Sequence, residues 1–328
     1  MKTKTKKLRL FAIIVFLGIS LLSCNDDDSQ TTTDTTITGI ASSNSNLSIL
    51  VQALTRANLA ATLEGTGPFT VFAPTNAAFN TFLTANGYVT NGDPDINTVP
   101  VAALTQILKN HVVSGAVQSS GLINNSYIKT LALGSASTSN TLNMYVINTT
   151  AGVKLNGISN VITTTAGTTF NIIASNGVIH TVDTVIGLPT IKTLAVANGR
   201  FSTLVTLLSG AGLVPTLDGT LGSPFTVFAP DNAAFTTFET QNPGVLSSLT
   251  PAQVSSVLTY HVVGGANVLS TGIPTTPIPT LESGTFSVSG TTITDEKTRS
   301  IGIIAVDIQA SNGVIHVVNN VLLPNSIP

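Results

Sequence analysis

The chain has 328 residues, of which 42% are hydrophobic and only 9% charged, with 27 Gly, 15 Pro, one Cys and no Trp. So low a charge content excludes charge-rich intrinsic disorder, and the length allows two cores rather than one. Thirteen basic and fifteen acidic residues give −2, but Lys2, Lys4, Lys6, Lys7 and Arg9 sit at the extreme N-terminus; the remainder is acidic, without the clustered Lys and Arg that a nucleic-acid partner requires.

Residues 1–23 read as a secretory signal: a basic stretch to Arg9, an apolar run from Leu10 to Leu22, then Ser23 and Cys24. The run is too short for a comfortable transmembrane helix and is followed at once by Asn25 and three aspartates. The segment Leu21-Leu22-Ser23-Cys24 resembles the bacterial lipobox, which implies cleavage before Cys24 and lipidation of its thiol and amine by palmitate-type chains. Lipidation would also consume a thiol that has no disulfide partner. Residues 24–36 lack apolar periodicity and are expected to form a disordered, solvated tether. The acidic cluster Asp26–Asp28 resembles the surface-export signal of Bacteroidetes lipoproteins, implying the outer face of the outer membrane; the alternative is that it only keeps the tether soluble.

Beyond the tether the chain repeats itself. Phe69 to Phe79 (FTVFAPTNAAF) matches Phe225 to Phe235 (FTVFAPDNAAF) at ten of eleven positions. His111-Val-Val-Ser-Gly-Ala matches His261-Val-Val-Gly-Gly-Ala, and Ala174 to Ile186 matches Ala310 to Leu322, in the same order. A period of about 150 residues is a duplicated domain rather than a solenoid unit. The copies are assigned to residues 37–189 and 190–328, joined at Gly187-Leu188-Pro189.

Each copy opens on an amphipathic helix, carried by Leu47, Leu50, Val51 and Leu54 or by Leu204, Val205, Leu207 and Leu208. A strand follows at Phe69–Ala73 or Phe225–Ala229, ended by proline. Thr75 or Asp231 then caps a short helix whose apolar face is Ala78, Phe79, Phe82 and Leu83, or Ala234, Phe235 and Phe238. The next helix has a capping box with proline at its first position in the second copy (Thr250-Pro251-Ala252-Gln253) and the stripe Val254, Val257 and Leu258. The first copy carries Val101, Leu104, Ile107 and Leu108, with a less clear cap near Thr98. Strands are expected at Tyr127–Ala132, Leu142–Asn148, Val153–Leu155 and Phe170–Ala174. The last strands, Val178–Ile186 and Val314–Leu322, should follow hairpins turning at Asn176-Gly177 and Asn312-Gly313, with positive φ at both turn residues. A helical first half on a β-rich second half predicts an α+β fold.

The three ordered landmarks resemble those of the fasciclin-like (FAS1) domain family, in which a TVFAP(T/D)NAAF segment, a Tyr-His or Asn-His pair and an NGVIH segment recur. The resemblance covers nearly all of both copies. It implies two tandem domains, each a β-sandwich or wedge carrying helices from its N-terminal half, in secreted or membrane-tethered proteins that adhere to cells or matrix. It also implies a partner-binding role for Tyr260-His261; in the first copy Asn110-His111 replaces the pair, which weakens any tyrosine-dependent role there.

His111, His180, His261 and His316 are all the histidines, two per copy. His111 and His261 fall on the apolar face of a last helical turn, where an imidazole bonds a main-chain carbonyl, and His180 and His316 lack a metal-ligand neighbour at strand spacing. No metal or cofactor is therefore expected. G-x-S-x-G, HExxH, CxxC, P-loop and GxGxxG patterns are absent, so no catalytic residues are assigned and the chain is read as no enzyme. The reading is a non-enzymatic surface protein that binds a protein or matrix partner, with the loops Tyr88–Asp95 and Thr271–Thr280 as contact regions. A carbohydrate or small-molecule binding module is the alternative, and a hydrolase a weaker one.

Overall fold

The computed structural model describes residues 34–162, 171–219 and 223–327. The signal segment, Cys24 and Phe170 lie outside the described residues. Thr36 already belongs to the folded body: its Oγ1 accepts the Gly39 N–H at 3.2 Å and caps helix α1 (Ile37–Ser43). Helices α2 (Ser48–Arg56), α3 (Ala60–Glu64), α4 (Asn76–Ala85) and α5 (Val101–Asn110) follow, interrupted by strand β1 (Phe69–Pro74) and by a small hairpin, β2 (Val89–Thr90) and β3 (Asp93–Pro94). The chain then turns to strands: β4 (Val112–Ser114), β5 (Ser126–Gly134), β6 (Ser137–Thr149), β7 (Gly152–Leu155), β8 (Ser159–Asn160), β9 (Ile172–Ala174) and β10 (Gly177–Val182). Their sheet order is β8-β7-β6-β5-β4-β1-β10-β9, with β1 parallel to β10 and antiparallel to β4.

The second domain repeats the plan with α6 (Ile191–Ala197), α7 (Ser202–Gly210), β11 (Phe225–Pro230), α8 (Asn232–Gln241), α9 (Val245–Ser248) and α10 (Pro251–Tyr260). Strands β12 (Val262–Gly264), β13 (Ile278–Pro279), β14 (Thr285–Ser289), β15 (Thr292–Thr294), β16 (Ser300–Ala310) and β17 (Gly313–Val318) complete it, in the order β12-β11-β17-β16-β15-β14-β13. The chain is thus two α+β domains in tandem.

The central strand of each domain divides two cores, because successive side chains of a strand point to opposite faces. Val71 and Ala73 of β1 pack under the helices with Leu50, Phe79 and Leu104, whereas Phe72 enters the wedge between strands with Met144, Val146 and Val182. Val227 and Ala229 of β11 face the helices and Phe228 faces the wedge in the same way. Each fully buried phenylalanine stabilises its domain by about 1.5–3 kcal/mol. Caps hold the helices where expected: Thr75 Oγ1 accepts the Ala78 N–H at 3.3 Å, Asp231 Oδ1 the Ala234 N–H at 2.7 Å, and Thr250 and Gln253 close a full capping box. Helix α5 has Pro100 at its N-cap and no side-chain cap, and Val101, expected in its apolar stripe, is 46% exposed because it sits in the uncovered first turn.

Two expectations are corrected. The hairpins turn at Ser175-Asn176 and Ser311-Asn312, one residue earlier than predicted, since Gly177 pairs with Ala174 and Gly313 with Ala310. The asparagine is used for its amide: Asn176 Oδ1 accepts the Ile37 N–H at 2.9 Å while its Nδ2 donates to Leu63 O at 2.6 Å, and Asn312 does the same to Ile191 and Leu217. The glycine is required by close approach, because a Cβ on Gly177 would lie 2.0 Å from Phe69 O, and one on Gly313 2.2 Å from Phe225 O. The last strands are also shorter than predicted, ending at Val182 and Val318. Beyond them the main chain leaves the sheet to bond a histidine, as described below.

The joint between the domains is held by main chain. Pro189 O accepts the Ser311 N–H at 2.7 Å, and Ser311 O accepts the Ala136 N–H at 2.9 Å, so the turn of the second domain grips both the linker and the β5–β6 hairpin of the first. Gln309 N–H donates to Asn143 Oδ1 at 2.8 Å, and Tyr145 of β6 is part of the second domain's helical core.

Candidate functional site

Helices α5 and α10 each end in the Asn-His or Tyr-His pair singled out by the sequence. The histidine is the C-cap residue. His111 Nδ1 donates to Ile107 O at 2.8 Å and its Nε2 accepts the Ile186 N–H at 2.9 Å; His261 donates to Val257 O at 2.7 Å and accepts from Leu322 at 2.9 Å. Each imidazole is a latch between a helix end and the segment leaving the last strand. Burial, opposed only in part by the carbonyl bond, drives both pKa values from 6.5 down to about 4, so the rings are neutral, and the carbonyl at Nδ1 with the N–H at Nε2 selects the Nδ1–H tautomer.

The four residues expected to meet a partner are interior: Asn110 is 0%, His111 1%, Tyr260 0% and His261 2% exposed. Asn110 Nδ2 donates to Gly187 O at 3.0 Å, and its Oδ1 accepts from Thr130 Oγ1 at 3.2 Å. Tyr260 fills the wedge of the second domain beside Phe286, its hydroxyl donating to Thr285 O at 2.7 Å and accepting the Glu296 N–H at 3.1 Å. Burial pushes this phenol upward. Around it, Glu296 Oε2 takes the Asn325 N–H at 2.7 Å and Glu282 Oε1 takes Ser326 Oγ at 2.9 Å, so the pair organises the C-terminal segment from inside. His180 and His316 stack on Phe72 and Phe228 and bond Val117 O and Val268 O at 2.9 Å. The imidazoles are therefore committed to main-chain groups, and among the described residues no cluster of three or more His, Cys, Asp or Glu has metal-binding geometry.

The surface is made by the loops. The β2–β3 hairpin within Tyr88–Asp95 is exposed, and so is most of Thr271–Thr280. Under the latter lies a recess of about 300 Å³ lined by Phe228, Val263, Ile273 and Pro277. Sequence reasoning found the loop, which carries Pro274, Pro277 and Pro279, but not the recess, whose walls come from three separate strands. It also missed the polar residues at the domain joint, Asn143, Asn198 and Gln309, which carry no repeated motif.

Known proteins share this plan. A fasciclin domain model matches residues 45–189 and again 199–324. An uncharacterized protein of Synechocystis sp. is 36% identical over 138 residues, 42% of this chain and 98% of the relative. Cell surface glycolipoprotein MPB83 of Mycobacterium bovis is 33% identical over 140 residues, 41% of this chain and 60% of the relative. Human periostin is 27% identical over 277 residues, 80% of this chain but 29% of periostin. A solved FAS1 domain pair from the insect cell adhesion molecule fasciclin I superposes with a TM-score of 0.50 at 17% identity, covering 86% of this chain and 98% of that one. With the landmarks present twice and in one order, the chain belongs to the fasciclin domain family and carries two of its domains in tandem.

Proposed function

We propose that this chain is a non-enzymatic adhesion protein, moored through lipid on Cys24 at the outer face of the outer membrane, which binds a protein or matrix component. The observation that carries the reading is the division between interior and surface. The groups with the most reactive chemistry, the four histidines, are held on main-chain atoms, while the exposed loops Tyr88–Asp95 and Thr271–Thr280 are rich in Thr, Pro, Asn and Gly. Thr271–Thr280 carries no charged residue and Tyr88–Asp95 only Asp93 and Asp95, so both oppose close approach of another surface with little like-charge repulsion. The pairs Asn110-His111 and Tyr260-His261 act in this reading by fixing the fold that presents the loops. Relatives named as a cell surface glycolipoprotein and as a cell adhesion molecule support the assignment.

The test is attachment of intact cells carrying the full chain to a matrix-coated surface. Replacing Thr271–Thr280 by a Gly-Ser segment of equal length is expected to lower attachment several-fold with the fold intact, and Cys24→Ser to release the protein from the membrane. Proteinase added to whole cells should remove the body. A protected body, or attachment indifferent to both loops, would overturn the reading.

A further inference from the structure

The joint between the domains forms an open cleft of about 900 Å³ with mixed polar and apolar walls, a size typical of small-ligand sites. One wall is β5 and β6, with Tyr127, Lys129, Asn143 and Tyr145; the other is the turn between α6 and α7, with Asn198 and Arg200, and β16 with Asp307. The walls are fixed to each other by side chains. Asn198 Nδ2 donates to Tyr127 Oη at 3.0 Å, Tyr145 Oη lies 3.0 Å from Asn198 Oδ1, and Asn143 Oδ1 accepts Gln309 N–H. The cleft is thus preorganised across two domains, and ligand binding need not order it.

Its hydrogen-bonding capacity is lopsided. The side-chain acceptors are already engaged: Asn143 Oδ1 holds Gln309 N–H, Asn198 Oδ1 holds Arg200 N–H at 3.1 Å, and each oxygen of Asp307 holds one bond from Ser270, 2.7 Å to its N–H and 2.6 Å to its hydroxyl, with its charge set against Lys129. The donors are not. Lys129 Nζ makes one bond, to Thr141 O at 3.0 Å, and Arg200 uses Nε on Asp231 at 2.7 Å, leaving its Nη groups without a hydrogen bond among the described residues. Asn143 Nδ2 makes no hydrogen bond among the described residues, and the residue lines the cleft. Tyr127 accepts from Asn198, and its own proton is left to donate; burial raises this phenol to about 12, so the proton stays on.

A ligand that fits must therefore bring acceptors and few obligatory donors. An extended peptide brings a row of main-chain N–H groups, for which the cleft keeps only acceptors that already hold a bond. A saccharide brings hydroxyl and ring oxygens, each able to accept, and a uronate adds a planar carboxylate matched to a guanidinium fork and an ammonium. From this geometry we infer that the inter-domain cleft binds an acidic saccharide of the uronate class, with Lys129, Arg200, Asn143 and Tyr127 as its donors. The site is independent of the adhesive reading, since it uses neither exposed loop and requires no tether.

Titration calorimetry on the full chain tests it with tri-galacturonate, galacturonate and cellotriose as probes. Tri-galacturonate is expected to bind at least about tenfold more tightly than the neutral cellotriose, a difference of about 1.4 kcal/mol. Equal molar affinity of galacturonate would assign the site to a free sugar acid, and tighter binding of the trimer to a polysaccharide segment; both keep the class. Lys129→Gln and Asn143→Asp should each weaken tri-galacturonate about tenfold or more, the latter keeping the Gln309 bond while turning a donor into a like charge. Tyr127→Phe should weaken it about three- to fivefold, and Lys297→Gln, outside the cleft, not at all. Unchanged melting curves for Lys129→Gln and Tyr127→Phe separate lost binding from lost fold. Absence of binding at 10 mM probe, equal affinity for cellotriose, or affinity indifferent to both Lys129→Gln and Tyr127→Phe would overturn the inference.

Discussion

The two domains use the same latch for different loads. His111 and His261 make matching bonds at both ring nitrogens, but the residue before each differs. Asn110 is short and hydrogen-bonds Gly187, tying the end of α5 to the joint with the second domain. Tyr260 is long, fills the wedge core and braces Glu296. Duplication has kept the polar contact that closes each helix onto the sheet and has let its neighbour serve whatever follows in the chain, a linker in one case and a terminal segment in the other.

That contrast can be tested by size of effect. Tyr260→Ala should destabilise most, by about 3–5 kcal/mol, because it empties a large buried aromatic site and leaves two main-chain groups unpaired; Asn110→Ala should cost less, about 1–3 kcal/mol, having only hydrogen bonds to lose. Denaturant unfolding of the two variants measures both, and a larger loss at Asn110 would reverse the reading of the pair. Next come the histidines. Their folded pKa values of about 4 lie below the unfolded 6.5, so their contribution is complete above pH 6.5 and is lost as pH falls toward 4. Each should account for about 3 kcal/mol across that window, equally in the two domains. Stability curves from pH 7 to 4 for His111→Gln and His261→Gln should lose matching parts of the slope; unequal parts would show that the latches are not equivalent.

A third comparison concerns the close approach of strands. Gly177→Ala and Gly313→Ala should each cost about 1–3 kcal/mol, since a methyl must displace the carbonyl of Phe69 or Phe225. Thermal melting of the pair checks that the two sites match. The smallest effect is expected at the caps: Thr250→Ala breaks the capping box of α10 and should cost about 1 kcal/mol, whereas Thr98→Ala near α5, which has no side-chain cap, should cost less.

The features readable from sequence are those written in short-range patterns. The repeat is legible because each copy spells the same short motifs, and the caps at Thr75, Asp231 and Thr250 and the carbonyl partners of His111 and His261 depend on neighbours within four residues. The turn at Asn176 comes one residue earlier than the Asn-Gly pair predicts, because the pair ordinarily signals a turn with positive φ, whereas here the amide reaches Ile37 and Leu63 and the glycine admits Phe69 O, contacts 100 or more residues away in sequence. The inter-domain cleft left no trace for the same reason. Asn143, Asn198 and Asp307 are ordinary polar residues in three separate segments, and only the joint makes them neighbours.

The turn that follows the penultimate strand has an outward side as well. Ser175 N–H bonds Thr35 O and Ser311 N–H bonds Pro189 O, in each case the residue two before the first helix of its own domain. In the second domain the same serine's carbonyl also receives Ala136 from the module before it. Entry clasp and docking socket are one turn, so modules of this kind can be strung head to tail, each new unit repeating the coupling of the last, and an array can lengthen by gene duplication without inventing a new joint.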